Sequence, residues 1–136
     1  MKSLVESLLT KSMSEDNFWK AIDAINKRLN GPVKNWIKVG SDAAYKAILK
    51  CVPKRNREAF ANMFFDLAGE LCDRYVFKDV GDDGNEYCSW GAVASGKAFY
   101  DMCMQAEEES VDSEGMDAES YGDAVSSLID DEEDWD

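Results

Sequence analysis

Carboxylates dominate the chemistry open to this chain: its 136 residues hold 28 Asp and Glu, 15 Lys and Arg, four Cys and no His. Fifteen of the acids fall in the 36 positions 101–136, which contain no Lys or Arg. That run closes with Asp130-Asp131-Glu132-Glu133-Asp134-Trp135-Asp136. Paired carboxylates serve as general acid and base only when one of them is desolvated in a pocket. A dense acidic run is solvated, so these residues read as a binding surface. Without His the commonest general base is missing, and no Ser or Cys has a spacing that supplies another. Gly81, Gly84 and Gly91 fit neither G-x-G-x-x-G nor a phosphate loop. The segment 79–90 has the outline of a calcium loop, with Asp79, Asp83 and Gly84 at its first, fifth and sixth positions. Gly81 and Trp90 stand where the third and twelfth ligands are needed, so a hairpin turn explains the residues better. Cys51, Cys72, Cys88 and Cys103 include no C-x-x-C pair and read as reduced, mostly buried apolar residues rather than zinc ligands. The sequence predicts no enzyme, no metal and no cofactor.

Charge is divided along the chain. Residues 1–78 carry fourteen bases against nine acids, and residues 79–136 one base against nineteen acids, for a net charge of −13. Such an acidic half repels nucleic acid and anionic membrane surfaces and attracts basic ones over a Debye length, ~8 Å at physiological salt. The expected partner is a protein with a basic nucleic-acid-binding cleft, or the chain's own basic half. The candidate contact residues are Glu107, Glu108, Glu109, Asp112, Glu114, Asp117, Glu119, Asp123, Asp130, Asp131, Glu132, Glu133, Asp134 and Trp135. A purely solubilising tail needs no Trp, Leu or Ile, whereas an interface is anchored by an aromatic among charges. A second cluster, Lys46, Lys50, Lys54, Arg55 and Arg57, is basic. Its first three members share one helical face if the helix continues through Pro53, and with Trp36 and Tyr45 nearby they could contact phosphates. The plainer reading is a solvated surface that pairs with the tail.

The elements that must position these groups are mainly helical. Leu4, Val5, Leu8 and Leu9 predict a short helix over 2–13. Ser14 reads as an N-cap with Glu15 and Asp16 in the first turn, opening a helix with Phe18, Ile22, Ile25 and Leu29 on one stripe. Asn30-Gly31-Pro32 stops it. A connector over 33–40 holds Trp36 and Ile37. Ser41-Asp42 caps a third helix through Tyr45, Ile48 and Leu49. The strongest periodicity lies in 54–77, where Phe60, Met63, Phe64, Leu67, Leu71 and Tyr75 make one apolar face. Loose alternation around 75–90, with Asp83-Gly84 at its centre, predicts one short β-hairpin. Residues 91–108 return to a helical pattern with Val93, Phe99, Tyr100 and Cys103 inward. The expected architecture is a compact domain of about five helices over 1–109. Residues 110–115 read as a linker, leading to an acidic tail, 110–136, with an amphipathic helix at 117–130. Tyr121, Val125, Leu128 and Ile129 share one face of that helix, either docked on the body or ordered only with a partner. No signal peptide and no run of ~18 apolar residues is present, so the chain reads as soluble and cytoplasmic with no membrane partner.

As one helix, 36 residues would span about 54 Å, giving one acid per ~3.6 Å, near half the charge density of duplex DNA. Dimerisation, or adding Asp79, Asp82, Asp83 and Glu86, would thicken the mimic. In composition the chain resembles phage-encoded DNA-mimic proteins: small, mostly helical, strongly acidic, and here ending in an acidic run tipped by Trp135. The resemblance covers residues 79–136 and rests on no motif. It implies a non-enzymatic inhibitor that occupies the DNA-binding cleft of a restriction, CRISPR or other nucleic-acid enzyme. The basic Lys46–Arg57 cluster departs from that pattern. The segment 129–136 also resembles the acidic tails of single-stranded-DNA-binding proteins, which recruit partners and compete with DNA for a basic groove. An acidic immunity protein or antitoxin against a nuclease fits the charge equally.

Overall fold

The computed structural model describes residues 13–134, with side chains as far as Ile129. The helix expected over 2–13 lies outside the described residues. Six α-helices follow: α1 (Glu15–Arg28), α2 (Ser41–Cys51), α3 (Arg57–Cys72), α4 (Asp82–Ala94), α5 (Lys97–Met104) and α6 (Glu119–Asp134). Short 3-10 turns lie at Trp36–Lys38 and Lys54–Asn56.

Helix α1 forms as its sequence dictates. The Ser14 hydroxyl accepts the Asn17 N–H at 3.1 Å, Glu15 and Asp16 occupy the positive end of the helix dipole, and Lys27 and Arg28 the negative end. Phe18, Ile22 and Ile25 are fully buried. The stop is made by Asn30, which takes the left-handed conformation at φ 62°. Trp36 is buried, and its indole N–H donates to the Ser95 hydroxyl at 3.0 Å, whereas the neighbouring Ile37 is exposed. The residue capping α2 is Gly40, so Ser41 and Asp42 stand inside the helix rather than before it.

Helix α3 is the centre of the core. It buries Phe60, Phe64, Ala68 and Leu71, with Met63 and Leu67 half-buried beside them. The helix is shorter than the periodicity over 54–77 suggests. It ends at Cys72, and Tyr75 stands exposed with a left-handed φ of 50°.

The β-hairpin expected near 75–90 is not formed. Among the described residues there is no strand, only an isolated parallel bridge between Phe77 and Val111. Asp82 and Asp83 are the first turn of α4, where the helix dipole favours acid just as a turn would favour Asp. Cys88, Ser89, Ala92 and Val93 then fall on a buried helical face against α3. Packing overrides the β-preference of Tyr87 and Trp90. Asn85 ties the two helices together, its amide N–H₂ reaching the Cys72 carbonyl at 2.8 Å. The single helix expected over 91–108 is also divided: Gly96 adopts φ 110° and separates α4 from α5.

The segment after residue 109 belongs to the same core. Ala118, Tyr121, Ala124, Val125 and Leu128 are buried, and α6 packs on α2, α3 and α4. Tyr121 stacks on Phe64 with centroids 5.6 Å apart and meets Trp36 edge-on at 5.2 Å. The expected 110–115 linker is tied at both ends. Val111 N–H reaches the Val76 carbonyl at 2.8 Å, and the Gly115 carbonyl accepts the Trp36 N–H at 2.7 Å. Helix α6 is thus the amphipathic helix of the tail, docked on the body, starting at Glu119 and continuing to Asp134.

Candidate protein-binding surface

Glu107, Glu108, Glu109, Asp112, Glu114, Glu119 and Asp123 are exposed, and Asp117 is half-buried. The side chains of Asp130, Asp131, Glu132, Glu133, Asp134 and Trp135 lie outside the described residues. The acids do not form a 36-residue rod. The strap over 107–118 crosses the body before α6 begins, and α6 itself has 16 residues, ~24 Å of helix.

The strap is held by its own acids and backbone. Glu109 N–H reaches the Tyr75 carbonyl at 2.9 Å. Asp112 accepts the Glu114 N–H at 3.0 Å, and Asp117 accepts the Glu119 N–H at 3.1 Å, opening α6. Ala118 N–H reaches the Tyr87 carbonyl at 3.1 Å. This places the first turn of α6 beside the first turns of α4. Glu119, then burial, then Asp83 push the Tyr87 hydroxyl above its ordinary range, so carboxylates from two helices converge on one ring. Asp79, Asp82, Asp83 and Glu86 are exposed and extend the acidic surface.

The bases gather elsewhere. Helix α2 ends at Cys51, so Lys54 stands on a separate 3-10 turn and does not continue the face of Lys46 and Lys50. Arg57 is half-buried and donates to the Val52 carbonyl at 3.2 Å and the Leu49 carbonyl at 3.5 Å, closing the C-terminus of α2. Lys50 instead meets Lys27 and Arg28 across a groove floored by Ala24 and Cys51, and Lys20 and Arg55 line its continuation. The α1 members of this basic groove were missed in the sequence because they lie a whole helix away from the cluster.

Asp123 shares a groove with Asp42 and Tyr45, toward the N-terminal end of α2. Among the described residues the one ion pair is Lys97–Asp101, at 2.6 Å. The described tail acids therefore do not pair with Lys46, Lys50, Lys54, Arg55 or Arg57.

One further feature was invisible in the sequence. Phe65, Ala68, Gly69, Cys72 and Asp73 of α3 and its C-terminus face Glu86 and Trp90 of α4 across a notch of about 350 Å³. Asn85 donates to the Cys72 sulfur at 3.2 Å. Burial, then Glu86, then Asp73 push the Cys72 thiol up, which places both carboxylates at the notch. All four cysteines are free thiols; Cys88 and Cys103 are buried, and Cys51 and Cys72 half-buried.

No helix among the described residues is long and apolar enough to cross a membrane. Compared with known proteins, the chain matches no family model, no curated protein and no solved structure.

Proposed function

We propose that this protein acts by binding rather than catalysis: its acidic C-terminal half occupies a basic nucleic-acid-binding site on another protein and blocks it. The observation that carries this reading is that the described acids of the C-terminal half are left unpaired by the basic half. Fourteen Lys and Arg stand in residues 1–78, yet the exposed acids of 79–123 take none of them as ion-pair partners among the described residues. Carboxylates left unpaired generate a field that attracts a cationic surface and repels nucleic acid. A DNA-mimic inhibitor of a defence nuclease and an immunity protein against a toxin nuclease both work this way.

The test is competitive. Proteins captured by the full-length chain from nuclease-treated lysate are assayed for nucleic-acid binding with and without it, beside a variant carrying Glu107→Gln, Glu108→Gln, Glu109→Gln, Asp112→Asn and Glu114→Gln. The expected result is that the wild type displaces nucleic acid from its partner, that the variant is weaker, and that affinity drops steeply between ~50 and 200 mM salt. A partner that keeps its nucleic acid in the presence of the wild type overturns the proposal.

A second reading is favoured by the basic groove between α1 and α2. Lys20, Lys27, Arg28, Lys50 and Arg55 line it without an ion-pair partner among the described residues. In this reading the chain binds nucleic acid directly, and the acidic face recruits partners. Direct DNA or RNA binding that is lost on Lys27→Glu with Lys50→Glu would favour it over the first.

A further inference from the structure

We propose that the notch between α3 and α4 receives the side chain of an arginine from the basic partner. This rests on the binding reading above and names the anchor within the acidic surface.

Three observations converge on that occupant. The aromatic wall is immobilised: Trp90 meets Phe65 edge-on at 5.7 Å and Tyr87 at 5.2 Å. Its other side rests on Gly122, where a Cβ would lie 2.0 Å from Trp90 Cε3. Trp90 nevertheless remains half-buried and lines the notch.

The second observation is Gly69. Glycine within a helix is less stable than alanine. At Gly91 and Gly122 a close neighbour leaves no room for a Cβ, but at Gly69, within α3, a Cβ would meet no heavy atom within 4 Å. What the missing side chain leaves open is the notch itself.

The third is charge. Asp73 and Glu86 stand at the notch, both exposed and both without an ion-pair partner among the described residues. A planar guanidinium can stack on the indole while its N–H groups reach a carboxylate. A lysine ammonium satisfies the charge but neither the planar stacking nor the forked geometry. A nucleobase would stack equally, but its phosphates would meet Asp73 and Glu86.

The experiment uses the full chain and three capped decapeptides that alternate glycine with arginine, lysine or citrulline, titrated while the Trp90 indole N–H resonance is followed. The arginine peptide is expected to bind roughly tenfold more tightly than the lysine peptide of equal charge, with the Trp90 signal shifting only for arginine. Gly69→Leu fills the notch from open space and should bring arginine binding down to the lysine level, leaving lysine binding unchanged. The exposed pair Asp73→Asn with Glu86→Gln should also remove the arginine preference, weakening both basic peptides without entering the core. Equal, salt-sensitive binding of arginine and lysine, or an arginine preference that survives Gly69→Leu, overturns the notch and leaves the acidic-surface reading standing. Failure of both basic peptides to bind better than citrulline overturns both.

Discussion

The indole of Trp90 lies so close to Gly122 that a Cβ at that position would sit 2.0 Å from its Cε3. This contact joins α4 to α6 and fixes the start of the acidic helix against the rest of the molecule. Gly122→Ala has no room to relax unless the ring moves, and Trp90 is already held by Phe65 and Tyr87. The substitution should destabilise the fold by about 3 kcal/mol, the upper part of the range for overpacking. Chemical denaturation of wild type and variant checks it. A loss below about 0.5 kcal/mol would mean that α6 does not hold this position.

Removing residues 110–136 should unfold the body, contrary to the expectation that a tail detaches cleanly. Tyr121, Val125 and Leu128 are 0–2% exposed. Each contributes on the order of 1.5–3 kcal/mol through burial, and the sum approaches the whole stability of a small domain, ~5–15 kcal/mol. Truncation would also open Trp36 and Phe64 to water. Loss of near-ultraviolet circular dichroism in the 1–109 fragment is the expected result; a cooperative unfolding transition in that fragment would refute it. Charge substitution, not truncation, is therefore the right test of the acidic surface.

These two contacts mark where the sequence was legible and where it was not. The helix stripes of Phe18–Ile22–Ile25 and Phe60–Phe64–Leu71 were readable because a buried helix face repeats locally. The same period over Tyr121, Val125 and Leu128 gave α6 its helix, but composition drew a domain boundary in front of it. Charge reports what a segment's outer face meets, not whether its inner face is buried. Asp82-Asp83-Gly84-Asn85 was misread because turns and helix N-termini favour the same residues. Only the packing of Cys88, Ala92 and Val93 on α3 decides between them. The notch needed two helices to be placed side by side, and its sole local trace was Gly69 inside an otherwise apolar periodic run.

Alkaline pH should weaken the fold. Burial pushes the Cys88 thiol up to about 11 and the Cys103 thiol up to about 12, from an ordinary value of 9.0. Tyr100 and Tyr121 are also raised, chiefly by burial. In each case the unfolded chain loses its proton first. The stabilisation is therefore fully present below about pH 9 and is lost as pH rises toward the folded-state values. Thermal unfolding followed from pH 8 to 11 should show Tm level at first and then falling, with Cys103→Ala reducing the slope. A Tm that stays flat to pH 11 would show that these groups reach solvent in the native state.

Salt should act on stability and on binding with opposite signs. Residues 79–136 hold nineteen acids and one base, and among the described residues the chain has one ion pair, Lys97–Asp101. Like-charge repulsion within the acidic half opposes the compact state, and few attractive pairs exist among the described residues for salt to weaken. Shortening the Debye length from about 10 Å at 0.1 M to about 3 Å at 1 M relieves that repulsion. Sodium chloride should therefore raise Tm, by about 2–4 °C for each kcal/mol recovered in a domain of this size. The same salt screens attraction to a basic partner, so affinity should fall over the range in which Tm rises. Scanning calorimetry and a partner titration on one salt series measure both. If Tm fell together with affinity, attractive pairing would dominate the native charges, and unpaired acids would not be the basis of binding.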